Sequence, residues 1–532
     1  TLGRTFTYEL LKAVSHLDEL VVWRSLVQLV EAEVLYQRGE LPHATYTFKH
    51  ALLQEAAYQS LLRSTRQQYH QRIAQVLATQ FLETAETHPE LLAHHYTEAG
   101  LTAEAISYWQ RAGQRALARS ANVEAIGHLT KGLELLRTLP DTPTLAAHEL
   151  QLLTTLGPAL MATQGYGAPE VEHTYARAWA LCQQVEETPQ LVQVVFGLFA
   201  FYLVRAEYHT AMELAEQFLS LAHRVQDSGL LLVAHSNLAQ TAFCLGELAR
   251  ARVLFEQGLA YYDPQQHRAL ILRYAQDPAV ASLSWLAWCL WLLGYPDQGE
   301  QKIHAVLTLA QEQNHSLTLG SVLAWASHFY VFRRDGSAAY THAEAAVQLS
   351  TEQGLPFRAA QGMMLRGWAL ASMGAVEEGI VQLRQGLEGW RTTGAAISLP
   401  YFLGLLADVC VRGAQVQEGL AVLAEALAYV DKTGERYAEA ELHRLKGELL
   451  LSQAPPDSAQ AEGCFRHALT IAQRQQAKSW ELRAAVSLSR LWQRQGKRAE
   501  AGALLAPIYG WFTEGFDTAD LQEAKVLLEA LT

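Results

Sequence analysis

The chain has 532 residues, half of them apolar and 18% charged, which excludes a disordered segment and gives far more chain than one compact core accommodates. Its 54 acidic residues outweigh 41 basic ones, for a net charge of −13; this argues against nucleic acid as a partner, since a broad interface needs clustered positive charge. Five cysteines (Cys182, Cys244, Cys289, Cys410 and Cys464) lie far apart with no CxxC pair, which excludes a zinc or disulfide framework and is the pattern of reduced thiols.

Residues 1–20 mix charges into the apolar pattern, unlike a secretory leader. The longest apolar stretches, 191–204 and 283–295, contain polar residues and are too short to span a bilayer. The expectation is a cytoplasmic chain without a membrane partner, in which the sequon Asn314-His315-Ser316 is a chance match.

Residues 1–85 follow no repeat. Residues 8–14 and 17–32 read as helices, and residues 33–48 read as a hairpin of two β-prone runs about a Gly/Pro turn. A long helical segment over 49–81 comes next. Helices, a hairpin and a further helix form the order of a small winged-helix domain. The run Phe48-Lys49-His50-Ala51-Leu52-Leu53-Gln54-Glu55-Ala56-Ala57-Tyr58, with Arg66, Tyr69 and His70 beyond it, resembles the winged-helix end of bacterial signal-transduction ATPases of the STAND type. The opening Gly3-Arg4-Thr5-Phe6 is similar to the junction where such ATPase modules pass into this domain. The resemblance implies a nucleotide module, a winged helix and a long tetratricopeptide array in that order, often joined to a cyclase, kinase or DNA-binding domain.

The chain departs from that pattern in two respects: no GxxxxGK[ST] loop occurs, so the phosphate cradle of a P-loop is missing, and Ala51 stands where the related motif has an acid after its histidine. The expectation is therefore a non-enzymatic chain without a cofactor of its own, ATP or ADP belonging to a longer parent protein. The resemblance gives His50 a nucleotide-sensing role, because related switch ATPases hold ADP with a histidine at the start of this helix. The other reading is a helix-start histidine packed on Phe48 and Tyr58. Arg63, Arg66, His70 and Arg72 are basic but scatter around their helix, which favours packing over a DNA-reading face.

From about residue 89 helix pairs begin. His94 to Gly100, then Ala105, Trp109 and Ala112, and then Ala125, Leu129 and Gly132, fit the tetratricopeptide pattern of a turn followed by a small–large–small helix. Residues 86–140 form this leading array, and two prolines in 138–145 mark a loop. Residues 146–161 and 170–185 read as a further pair of helices.

The main array, 146–515, repeats about every forty residues. Small residues open the second helix of each unit at Ala211, Ala251, Gly299, Ala339, Gly379, Gly419, Ala461 and Ala501, in steps of 40, 48, 40, 40, 40, 42 and 40. Four and seven residues later come apolar or small residues, from Ala215 and Phe218 to Leu505 and Ile508. That spacing lines one helix face and lets a neighbour approach closely. A fixed period with one helix pair per unit is the signature of an all-α superhelical solenoid. Turns fall at Gly246, Gly294, Gly374, Gly413 and Gly496; the long step reflects an inserted loop at 261–273; and residues 516–532 read as a capping helix. These units exceed the usual tetratricopeptide length of about 34 residues and resemble the array of the maltose-regulon activator, which implies that the first helix of each pair lines the inner wall.

Catalytic motifs are missing: no HExxH, no GxSxG and no patterned histidines occur, so neither a metal site nor a catalytic residue is expected. Counting back from the turns, the groove-facing position falls on Gln240, Trp288, His328, Trp368, Asp408 and Arg490. Aromatic anchors dominate interface energies, but Trp288, flanked by Trp285 and Trp291, reads equally well as core. The expected function is a sensor scaffold that binds a protein or peptide, or a small ligand, in this groove and relays it to a nucleotide switch. The alternative is the regulatory part of an adenylate or guanylate cyclase, or of a transcription activator, whose output domain lies outside this chain.

Overall fold

The computed structural model describes every residue except 141, 185–189, 268–269, 275, 314 and 532. The sequon asparagine and the expected helix end at residue 185 thus lie outside the described residues. The chain divides into two compact units, Thr1–Leu156 and Gly157–Thr532, with the division inside the helix Pro143–Gln164.

The first unit opens with the strand Thr5–Thr7, the helices Tyr8–Val14 and Glu19–Glu31, and a hairpin of Leu35–Arg38 and Thr45–Phe48. All three strands pair antiparallel with Thr45–Phe48 at the centre, so that Tyr46 faces Phe6 on one side and Gln37 on the other. The first strand is an addition to the expected elements; three residues are too few to show a period of two. Both helices start on side-chain caps, Thr7 Oγ1 accepting from Leu10 N at 3.3 Å and Asp18 Oδ1 from Leu20 N at 2.9 Å. Tyr8, Val22, Leu26, Leu35 and Tyr46 close the small core between helices and sheet.

The helix expected over 49–81 is two helices, Ala51–Gln59 and Arg63–Gln80. At the break the Ser60 hydroxyl donates to Ala57 O at 2.8 Å, the carbonyl a continuing helix would offer to Leu61, and Leu61 N turns to Tyr58 O instead. The helices Pro89–Ala99, Thr102–Ala118 and Asn122–Leu136 follow. Ala105, Trp109, Ala112, Ala125, Leu129 and Gly132 are all buried, as the small–large–small pattern requires.

The second unit is an all-α superhelix of tetratricopeptide-like pairs. Residues at the middle position of the repeat (Ala215, Phe255, Ile303, Ala343, Leu383, Leu423, Phe465 and Leu505) have no exposed surface at all. Burial of each large member contributes about 2 kcal/mol. Small residues stand one turn earlier because backbones meet there: a Cβ on Gly379 would lie 2.4 Å from Gly367 O. Most expected turns hold their glycine in the left-handed region, but at 413–414 Ala414 takes the positive φ and Gly413 does not. The insertion after Tyr261 carries two short helices, Pro264–His267 and Leu270–Tyr274. The last helix, Ala519–Leu531, buries Leu521, Ala524 and Leu527 in the same core as Leu488 and Leu505, covering the final apolar face.

Successive turns of the superhelix touch. The last carbonyls of a helix lack partners within it, and here the next superhelical turn supplies them. Val204 O accepts from the backbone N–H groups of Ala396 and Ile397 at 2.8 and 2.9 Å, and Cys244 O accepts from Arg436 N at 2.8 Å. Trp291 O accepts from Ser479 Oγ, 188 residues on, and Phe332 O from Arg483 Nη2, 151 residues on. At the opposite helix pole, the Glu514 carboxylate accepts from Asp297 N and Gln298 N at 3.0 and 3.1 Å, where the positive end of the helix dipole favours an anion. Gly165 and Gly167 lie against Thr393 and Gly394 in the same way.

Candidate functional site: two chambers on the superhelix axis

Because the turns close on one another, the inner wall is a filled axis rather than an open groove. Trp288 is 3% exposed and donates its indole N–H to Trp325 O at 3.1 Å. His328 is fully buried, its ring 4.3 Å from Trp288 and stacked on Tyr401 at 4.6 Å and 10°. Burial pulls the His328 imidazole down to about 3, so it is neutral. Neither residue reaches solvent. Phe243, Phe332, Tyr437 and Trp480 continue this aromatic plug.

A chamber of about 280 Å³ lies beyond the plug towards the C-terminal repeats, and three of the sequence-derived groove residues line it: Trp368, Asp408 and Arg490. Its wall also holds Arg334, Arg412, Arg444 and Arg483 against Glu441, Glu448, Asp520 and Glu523. Five arginines thus face five carboxylates. Asp408 accepts the Trp368 indole N–H at 2.9 Å and Arg412 at 3.2 Å. Burial alone would raise its carboxyl; Arg412, Arg444 and the indole hold it below the usual carboxylate range. Arg444 grips Glu441 with two bonds of 2.8 Å and reaches Glu448 at 3.3 Å, the fork geometry that makes such pairs strong. Arg483 binds Asp520 at 2.8 Å and lies over the rings of Trp291 and Trp480. Arg490 and Arg334 share Glu523. Among the rim groups, the side chains of Arg490 and Arg334 are 46% and 37% exposed.

On this wall the Ser487 hydroxyl donates to Glu448 Oε1 at 2.6 Å, and no histidine or cysteine is among the lining residues. What it offers is a set of fixed donors and acceptors with no net charge. Glu448 was within reach of the sequence, since it stands at the forty-residue register after Trp368 and Asp408. Arg334, Asp520 and Glu523 were not, because superhelical closure brings them in.

A smaller cavity of about 80 Å³ lies on the other side of the plug. Gln240 and Trp288 line it, with Trp285, Trp325, Phe357 and Arg358. Gln240 is partly buried and donates to Ser236 Oγ at 3.0 Å. The single expected groove is therefore two chambers with His328 between them.

In the first unit, His50 is exposed at the start of Ala51–Gln59, without a side-chain capping bond. Of the basic cluster beyond it, Arg66 lies over the Tyr58 ring at 5.0 Å, Arg72 donates to Ser15 O at 3.2 Å and His70 is buried, while Arg63 is exposed. The His70 and His95 Nδ1 atoms are 2.8 Å apart, and Tyr58 Oη is 3.0 Å from the other His70 nitrogen. None of the described helices is long and apolar enough to cross a membrane, and the five cysteines form no disulfide among the described residues.

No family model matches the chain. It is 26% identical over 456 residues to an uncharacterized protein of Rhizobium meliloti (strain 1021), an alignment covering 84% of this chain and 43% of that one. The chain thus spans less than half the length of the curated relative it matches. Among solved structures it is similar to a Rap protein complexed with competence and sporulation factor, at TM-score 0.52 and 11% identity, over 70% of this chain and 98% of that one. A second similarity is to a STAND protein with a tetratricopeptide repeat sensor from Pyrococcus horikoshii, at TM-score 0.33 and 13% identity, over 83% of this chain and 74% of that one. At these identities the likeness concerns the helical-repeat fold.

Proposed function

We propose that the chain is a non-catalytic binding scaffold whose wound array receives a protein or peptide segment in the charge-lined chamber. One observation carries this reading: Trp368, Asp408 and Arg490, spaced by the repeat, meet on one chamber of about 280 Å³ whose ten charged side chains are already paired and aimed. A segment carrying both charges and backbone amides can exchange the rim pairs of Arg334, Arg490 and Glu523 for its own without stranding a charge. A lone strong anion or cation cannot. The Rap protein of similar fold was solved with competence and sporulation factor, which is in keeping with a bound partner here.

In a longer parent protein, binding in the array would be relayed through the sheet-bearing segment to a nucleotide-switch module, with His50 at the contact. The greater length of the Rhizobium relative and the motif order of residues 1–80 support this part. The test is affinity capture from source-cell lysate with the wild-type chain and with Asp408→Asn plus Arg490→Ala, after circular dichroism shows equal helix content. Each retained protein is then purified and titrated directly against both baits. A partner whose affinity falls about tenfold or more in the variant supports the reading; an unchanged set bound with unchanged affinity refutes it.

A further inference from the structure

Every arginine of the charged chamber has a carboxylate. Arg358, in the smaller cavity, has none. It is 5% exposed, no Asp or Glu stands among the lining residues, and no described carboxylate lies within ion-pair distance. Its Nη1 donates to Gln361 Oε1 at 2.9 Å, while its Nε has no hydrogen-bond partner. The guanidinium lies over the rings of Trp325 and Phe357 at 4.7 and 4.8 Å. Burial pulls it down only to about 10, so it is a cation at neutral pH. A second donor, Asn237 Nδ2, is 1% exposed and also unpartnered.

A buried cation whose polar neighbours are the Gln361 amide and the Tyr166 hydroxyl, both neutral, is costly unless a counter-charge arrives. Ring faces recover part of that cost but leave Nε without a partner. The walls explain what kind of counter-charge fits. Trp285, Trp288 and Trp390 are planar and apolar, and they line the space that Arg358 and Asn237 also face. The volume of about 80 Å³ corresponds to roughly six water positions, so a guest has on the order of ten heavy atoms.

We infer that this cavity is a binding site for a small aromatic monocarboxylate, held by a salt bridge from its carboxylate to Arg358, with Asn237 as second donor and the indole walls against its ring. The planar fork of arginine suits a carboxylate edge. This site is separate from the partner reading, because the two chambers share no lining residue.

The test titrates the purified full chain with benzoate, its neutral isostere benzamide, and acetate, following tryptophan fluorescence and isothermal heat. The expected result is saturable benzoate binding, with benzamide and acetate each weaker by about tenfold or more. In Arg358→Met benzoate binding falls by at least about tenfold, while the ligand-free array melts at the same or a higher temperature, since an uncompensated charge has left the core. Three results overturn the inference: no saturation by benzoate up to about 20 mM, equal binding to wild type and Arg358→Met, or a lower melting temperature in Arg358→Met, which makes the guanidinium a structural group. Asp408→Asn plus Arg490→Ala leaves benzoate binding unchanged, so failure here and failure of the partner reading are distinguishable.

Discussion

Glu435 is 2% exposed and joins two superhelical turns: its Oε2 accepts from Tyr208 Oη, 227 residues away, and from Ser398 N at 3.0 Å, while Oε1 has no partner. Burial raises its carboxyl from 4.5 to about 7, against the opposing effect of those two donors. A carboxyl raised on folding gives stability that is fully present below its unfolded value and is lost as pH rises through the folded one. The window here runs from 4.5 to about 7. Glu435→Gln removes the titration while keeping an oxygen for Tyr208 and Ser398, and its amide nitrogen takes the position already without a partner. With about 1.36 kcal/mol per unit, the wild type loses about 2.5 kcal/mol relative to the variant between pH 5 and pH 8. Urea unfolding of both proteins at pH 5, 6.5 and 8 measures this difference, and other titrating groups cancel in it. Tryptophan fluorescence is the suitable probe: only Trp23 and Trp109 of the 12 tryptophans lie in the first unit. A difference that stays constant with pH, or one that favours the wild type at pH 8, would refute the burial argument.

Gly394→Ala tests the closure of the superhelix elsewhere. Its φ is +74° and a Cβ would meet Gly167 O at 2.2 Å, so we expect a loss of about 3 kcal/mol or more, read as a lower melting temperature of the second unit with the first unchanged. His70 and His95 make the first unit acid-sensitive. Burial, then neighbouring histidines, lower them to about 4 and 3, so below the ordinary 6.5 the unfolded chain takes up protons that the folded one refuses. Stability is full above about pH 6.5 and falls as pH drops towards 4, and His95→Gln flattens that slope in far-ultraviolet melts taken at pH 7 and 4.5.

The repeat was legible because one physical demand recurs. Wherever two helices of a pair meet, a small residue followed by apolar residues four and seven positions on must pack, and Ala251, Phe255 and Gly258 show this as clearly as Ala461, Phe465 and Ala468. Local chemistry also announced the hairpin about Gly39 and the final cap. The break between Gln59 and Arg63 was not evident, since a helix-compatible pattern continues through it. The groove was legible only as a register. Trp288, His328, Trp368 and Asp408 occupy equivalent positions, and nothing local separates a buried member from one facing a chamber. That difference arises when Val204 meets Ala396 and Trp291 meets Ser479, contacts set by the small rotation accumulated over several repeats. The sequence by itself thus determined the helix pairs, their period and the row of inward positions, all of which are nearest-neighbour properties. Only the tertiary structure decided that the turns touch, that aromatic rings fill the middle of the axis, and that Arg358 is buried without a carboxylate while Arg490 has one.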